Sequence, residues 1–202
     1  LSKLQEYASY IGLDKKTGIE IMEAAPQVSR QFAVPSYIGQ GTNLFTSTHL
    51  ARYVGTIANK GTVYNLSMVD KVAQADGTLI NKYEPEVVNQ MDIPENVWDD
   101  IHYGMRRVVQ THDQFDELYI DLAGKTGTAE LDIYHPNHGL FVGYAPSENP
   151  QYGISVRIPN GYSSGNACLV ACDVMKYIFE EEDEELIITG LASSDVSDSS
   201  ND

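Results

Sequence analysis

Apolar positions recur every three or four residues in four stretches of the chain, and each stretch predicts a helix with one buried stripe. The first is Leu1 to Leu13, where Leu1, Leu4, Ala8 and Ile11 share a face and Gly12 offers a terminator. The second starts at Thr46 or Ser47, either of which can cap it. It buries Leu50, Val54, Ile57 and Ala58 and ends at Gly61. The third opens at Pro94-Glu95 and runs to about Gln110. Val97, Ile101, Met105 and Val108 point inward, Trp98 packs in the first turn, and Arg106 and Arg107 take the wet side. The fourth follows a glycine- and serine-rich stretch at 159–165 and packs through Ala167, Val170, Ala171, Val174 and Ile178.

Short runs of β-branched and aromatic residues predict the strands. Val63-Tyr64-Asn65-Leu66 and the run from Ser67 to Val72 lead to a turn at Asp76-Gly77, from which Thr78-Leu79-Ile80 returns as a hairpin. Tyr119-Ile120-Asp121-Leu122 begins a strand that continues through Ala123 and Gly124 into Lys125-Thr126-Gly127-Thr128. Phe141 to Tyr144 and Tyr152 to Ile158 are two more strands, joined by a turn from Pro146 to Pro150. Residues 14–45, rich in Gly, Pro and polar side chains, predict loop with a short strand near Ile19-Glu20-Ile21. Gln40 reads as a turn residue that holds backbone, not as a ligand contact. Helix, strands, strands, helix gives an α+β plan, an antiparallel sheet covered by helices.

Composition trims the possibilities. A chain of 202 residues, 42% hydrophobic, suits one domain or a large part of one. The net charge of −16 is uneven: nine acids and no Lys or Arg follow from Glu180 onward, leaving −7 on residues 1–179. The body has no basic stripe, which argues against nucleic acid. The acidic stretch 180–202 reads as a solvated, mobile tail. Cys168 and Cys172 share a helix face without a second ligand pair and read as small buried residues. His135 and His138 lack a third ligand at metal spacing and read as solvated loop histidines, so no metal and no cofactor is expected. There is no apolar run of membrane length and no signal peptide, and the chain opens without Met inside a helix, as a fragment would.

The chemistry gathers at Lys125-Thr126-Gly127-Thr128. Lysine offers a compact ammonium for a hydroxyl or an anion. The threonines can donate to a carboxylate, and glycine lets a ligand backbone lie close to the strand. A second copy, Lys16-Thr17-Gly18, follows a helix instead of an apolar strand and reads as a helix exit with a glycine stop.

Lys125-Thr126-Gly127-Thr128-Ala129-Glu130, followed by His138-Gly139-Leu140-Phe141-Val142-Gly143-Tyr144-Ala145-Pro146, resembles the third active-site motif and next strand of penicillin-binding protein transpeptidases. Ile38-Gly39-Gln40-Gly41, running into Thr46-Ser47-Thr48-His49-Leu50-Ala51 and Ile57-Ala58-Asn59-Lys60-Gly61-Thr62, resembles their monofunctional, class B members. The likeness keeps its order from about Leu1 to about Ile178. It implies part of the serine β-lactamase and penicillin-binding transpeptidase fold over residues 1–179. The implied activity is D,D-transpeptidation, which cross-links peptidoglycan stem peptides through a serine acyl-enzyme and binds β-lactam antibiotics. Other cell-wall synthesis proteins are possible partners, and the implied place is the extracytoplasmic face of the bacterial membrane, anchored by a segment absent here.

By the same resemblance Lys125 contacts the serine of a Ser-x-Asn loop and supports proton movement. Thr126 and Thr128 bind the ligand carboxylate, the Thr128 N–H completes an oxyanion hole, and Gly127 leaves room for the ligand. Two parts of that machinery are missing. No serine is followed three residues later by lysine, and Ser147-Glu148-Asn149 and Ser164-Gly165-Asn166 both follow Lys125, whereas the family's motif precedes it. These two copies are expected to be a turn and a helix entry. The nucleophile is expected upstream of Leu1, and the fragment alone is expected to be inactive. A serine β-lactamase or β-lactam sensor relative, and a non-catalytic transpeptidase-like scaffold, remain alternatives.

Overall fold

The computed structural model describes residues 1–179 and divides into two units, Leu1–Ile93 and a second that begins at Pro94. The acidic stretch 180–202, read above as a mobile tail, lies outside the described residues.

In the first unit, α1 (Ser2–Tyr10) ends where Gly12 adopts φ +80°, and the loop that follows leads to the short α2 (Ala33–Tyr37) and then α3 (Ser47–Ala58). The Thr46 side chain accepts the His49 N–H, and the His49 ring accepts the Thr46 N–H, a reciprocal cap that fixes where α3 starts. The stripe that α3 buries is more polar than its apolar period suggests: His49, Arg52, Val54, Thr56 and Ile57 are buried, while Leu50 and Ala58 are only partly so. Arg52 can go inside because its guanidinium donates to the carbonyls of Gly12, Lys15 (2.7 Å) and Lys16 (3.0 Å), backbone acceptors just past the end of α1. The strand expected at Ile19-Glu20-Ile21 does not form. The Glu20 carboxylate instead takes the Met68 N–H and the Ser67 hydroxyl. β2 (Lys71–Ala73) and β3 (Leu79–Lys82) form the expected hairpin, closed by Gln74 N–H to the Thr78 carbonyl at 2.8 Å. β1 (Thr62–Tyr64) pairs instead with β4 (Val87–Gln90), a strand the pattern did not mark.

The second unit comprises α4 (Glu95–Val109), one 3-10 turn (Asp113–Phe115), β5 (Ala123–Ala129), β6 (His138–Ala145), β7 (Tyr152–Ile158) and α5 (Ser164–Ile178). The strands form an antiparallel sheet in the order β5-β6-β7, with α4 packed on β5 and α5 on β6 and β7. This is the α+β plan, a sheet covered by helices. The core joins Val109, Phe115, Leu122, Phe141 and Ala145 to Ala167, Cys168, Ala171, Cys172 and Met175 of α5.

Both helices turn differently from their apolar pattern. α5 sets its small residues against the sheet, Cys168 and Cys172 among them as buried thiols, and leaves Val170 and Val174 outside. Small side chains let helix and sheet approach closely, and that outweighs the larger apolar surface of valine. α4 buries Trp98, Met105 and Val109 and leaves Val97 exposed. Arg106 is not on the wet side: its guanidinium reaches the Leu122 carbonyl (3.2 Å) and the Asp121 carboxylate. With those groups taken, residues 119–122 stay irregular. Tyr119 is 91% exposed, and the strand begins at Ala123 rather than Tyr119. Among the described residues no helix is long and apolar enough to cross a membrane.

Candidate active site

β5 is the outer strand of its sheet, so one side of its backbone pairs with β6 and the other meets no strand among the described residues. Residues directly opposite each other in an antiparallel pair share a face. Thr126 stands opposite Phe141, and Thr128 opposite Gly139. Phe141 belongs to the core that α5 covers, which places both threonines on the α5 face. Thr126 is 8% exposed, and the Thr128 hydroxyl accepts the Ser164 N–H at 3.2 Å.

Lys125 leaves the opposite face, opposite Val142, and is exposed. Its side chain wraps around the strand, so that the ammonium donates to the Thr126 carbonyl at 2.8 Å and lies 3.5 Å from the Thr126 hydroxyl. Groups that alternation separates thus meet at the open side of the strand. An ammonium, two hydroxyls and an unpaired backbone ladder suit an extended peptide that ends in a carboxylate.

The strand's two glycines serve different ends. A Cβ on Gly124 would stand 2.3 Å from the Phe141 ring, so the fold itself needs glycine there. A Cβ on Gly127 would meet Leu140 at 3.5 Å, an ordinary contact, so packing does not require glycine at 127.

The second copy of the tripeptide is occupied by the protein's own carboxylate. Thr17 is fully buried, and its N–H and hydroxyl hold Glu23 at 2.7 and 3.0 Å. The Thr48 hydroxyl adds a third contact at 2.9 Å. Burial alone would raise the Glu23 carboxyl, but the N–H of Thr17 and the hydroxyls of Thr48 and Thr17 outweigh it and hold the group below its ordinary value. His49 lies 3.4 Å from Glu23. The His49 Nδ1 accepts the Thr46 N–H at 3.3 Å and lies 2.6 Å from the Thr46 hydroxyl. Burial lowers the His49 pKa, and Arg52 adds to that, while Glu23 pulls the other way.

Of the loop histidines, His135 pairs with Asp132 at 2.8 Å and His138 accepts the Asn160 N–H at 3.0 Å. The bond from His135, with the N–H groups of Tyr134 and His135, holds the Asp132 carboxyl below its usual range. Ser147 sits in the β6–β7 turn and donates its N–H to the Asp121 carbonyl at 2.6 Å. Ser164 is the first residue of α5 and 1% exposed. A groove of about 970 Å³ in the first unit is lined by Gln5, Asp14, Pro26, Arg30 and Leu44 among others, and its described wall holds no serine, cysteine, histidine or lysine. Sequence reasoning missed Arg106, which fastens the start of β5, and the meeting of Thr128 with α5. Arg106 lies one residue from the apolar stripe, a weak signal at best.

Comparison with known proteins follows the same residues. The family described as "Penicillin binding protein transpeptidase domain" matches residues 1–179. Penicillin-binding protein 2A of Bacillus subtilis is 31% identical over 184 residues, covering 80% of this chain and 26% of the relative. Penicillin-binding protein 2B of Streptococcus pneumoniae superposes with a TM-score of 0.77 at 26% identity, covering 90% of this chain and 33% of that one. Penicillin-binding protein A of Mycobacterium tuberculosis, solved as an imipenem acyl-enzyme complex, shares the fold with a TM-score of 0.78 at 22% identity, covering 89% of this chain and 42% of that one. The chain spans about a quarter of the length of the curated relatives it matches.

Proposed function

The chain belongs to the transpeptidase domain family of penicillin-binding proteins, and from that premise we propose that it is the C-terminal part of a monofunctional D,D-transpeptidase domain. In the whole protein a serine supplied by preceding sequence attacks the penultimate D-Ala carbonyl of a peptidoglycan stem peptide and terminal D-Ala leaves. The amine of a second stem peptide then takes the acyl group. β-Lactams enter by the same attack and remain on the serine. Two relatives of this chain, from Haemophilus influenzae and Acinetobacter baumannii, carry the name peptidoglycan D,D-transpeptidase.

The arrangement of β5 carries the reading: Lys125 brings its ammonium 3.5 Å from the Thr126 hydroxyl on the unpaired side of the strand. In the proposed site Lys125 supports proton movement at the serines, Thr126 and Thr128 donate to the ligand carboxylate, and the Thr128 N–H serves the oxyanion. Gly127 admits the ligand backbone. Stem peptides lie outside the cytoplasmic membrane, and the protein's proposed place is there, with other cell-wall synthesis proteins as its neighbours.

A fluorescent penicillin tests this. The full-length gene product takes a covalent label that competing benzylpenicillin blocks, and these 202 residues alone take none. A label on the isolated chain would place a nucleophile within it and overturn the division of labour. A full-length product that stays unlabelled would overturn the reading.

A further inference from the structure

Thr128 is held from behind by α5. The helix runs for 15 residues from Ser164, and its N-cap, Ser163, makes no side-chain capping bond. The Ser164 N–H instead donates to Thr128 Oγ1 at 3.2 Å, so a residue 36 positions earlier on a strand closes the helix end. The approach depends on Gly139, which stands opposite Thr128 on the same face. A Cβ there would lie 2.3 Å from the Ser163 carbonyl oxygen and 3.7 Å from the Ser164 nitrogen.

A hydroxyl that accepts an amide proton on one lone pair cannot turn its own hydrogen the same way, so the bond restricts where Thr128 donates. A hydroxyl polarised by a donor is also a stronger donor in turn, and the donor here stands at the positive end of a helix. We propose that the backbone amide of Ser164 is a positioning group for the candidate active site: it aims and strengthens the Thr128 hydroxyl as a donor to the ligand carboxylate. The inference rests on the transpeptidase reading and assigns a role to a helix end that carries no reacting atom.

Ser164→Pro removes the amide at a position proline tolerates. It is the first helical residue, and Ser163 before it is already extended at φ −142°, ψ 166°. Ser164→Ala keeps the amide and controls for the lost hydroxyl. In the full-length protein, the second-order rate of acylation by benzylpenicillin is expected to fall about 5- to 30-fold in Ser164→Pro and to change less than about 2-fold in Ser164→Ala. In a Thr128→Val background Ser164→Pro has no further effect, an outcome that a merely structural role for the helix end would not give. Should Ser164→Pro fail to fold by circular dichroism, Gly139→Ala breaks the same bond by pushing Ser163 away and is expected to reproduce the loss. Equal rates in Ser164→Pro and Ser164→Ala, or equal losses with and without the Thr128 hydroxyl, overturn the positioning role and leave the transpeptidase reading standing. A wild type that takes no label overturns both.

Discussion

Lys125 and Gly127 are the residues at which the proposed function separates from folding. Lys125 is exposed and, among the described residues, bonds only locally, to oxygens of its neighbour Thr126, so the fold loses little without it. Lys125→Ala in the full-length protein is expected to lower acylation about 10²- to 10⁴-fold, the range for a group that moves protons, with an unchanged unfolding midpoint. Near-wild-type acylation would remove Lys125 from the chemistry. His49 and Glu23 give a stability prediction with a definite sign. The folded state holds His49 below its ordinary 6.5. As pH falls through that value the unfolded chain takes the proton first, and stability is lost. Glu23, held below 4.5, adds a second loss as pH falls through that lower value. Urea midpoints therefore decline from about pH 6.5 downward. His49→Gln, whose amide oxygen can still accept the Thr46 N–H, flattens the upper part of the decline. A midpoint constant between pH 7 and 5 in the wild type would refute the assignment.

At the scale of the element, the two glycines of β5 differ: packing requires Gly124, whereas Gly127 is free of that constraint and is proposed to serve the ligand. Gly124→Ala forces a methyl into the Phe141 ring and is expected to cost about 1–3 kcal/mol, as overpacking does. Gly127→Ala leaves the unfolding midpoint nearly unchanged, since its methyl meets Leu140 at ordinary distance. In the full-length protein it still slows acylation. If calorimetry ranked the two the other way, the division between packing and ligand access along this strand would be wrong. Arg106 shows how far an element's position rests on distant partners. Periodicity placed it in water, but the Leu122 carbonyl and Asp121, 16 and 15 residues on, draw it to the strand's start. In the same way α5 turned its cysteines inward, because closeness to the sheet decided the face rather than apolar area along the helix.

For the whole molecule, surface apolarity carries its own prediction. Met22, Phe32, Val34, Ile38 and Leu44 are each more than half exposed, all within the segment between α1 and α3 of the first unit. Apolar side chains so concentrated favour association. The 202-residue chain is expected to self-associate at tens of micromolar in sedimentation velocity, and Val34→Lys with Ile38→Lys to suppress it. A monodisperse monomer across that range would show that these side chains are tolerated in water.

The sequence alone marked most of the elements and the candidate chemistry, but not α2 or β4. Capping threonine, glycine stops and 3.6-residue periods marked α1, α3, α4 and α5, and the β-branched and aromatic runs marked β1 to β3 and β5 to β7. The order of Lys125-Thr126-Gly127-Thr128 and its flanking strand pointed to the family, because these signals are written in neighbouring residues. Only the tertiary structure decided which side of each helix faced inward, that β5 lies at an open edge, that Lys125 reaches around it to Thr126, and that Ser164 stands behind Thr128. All but the contact of Lys125 with Thr126 depend on groups far apart in the chain, and hydrogen bonds and steric fit between such groups leave no period for a local pattern to carry.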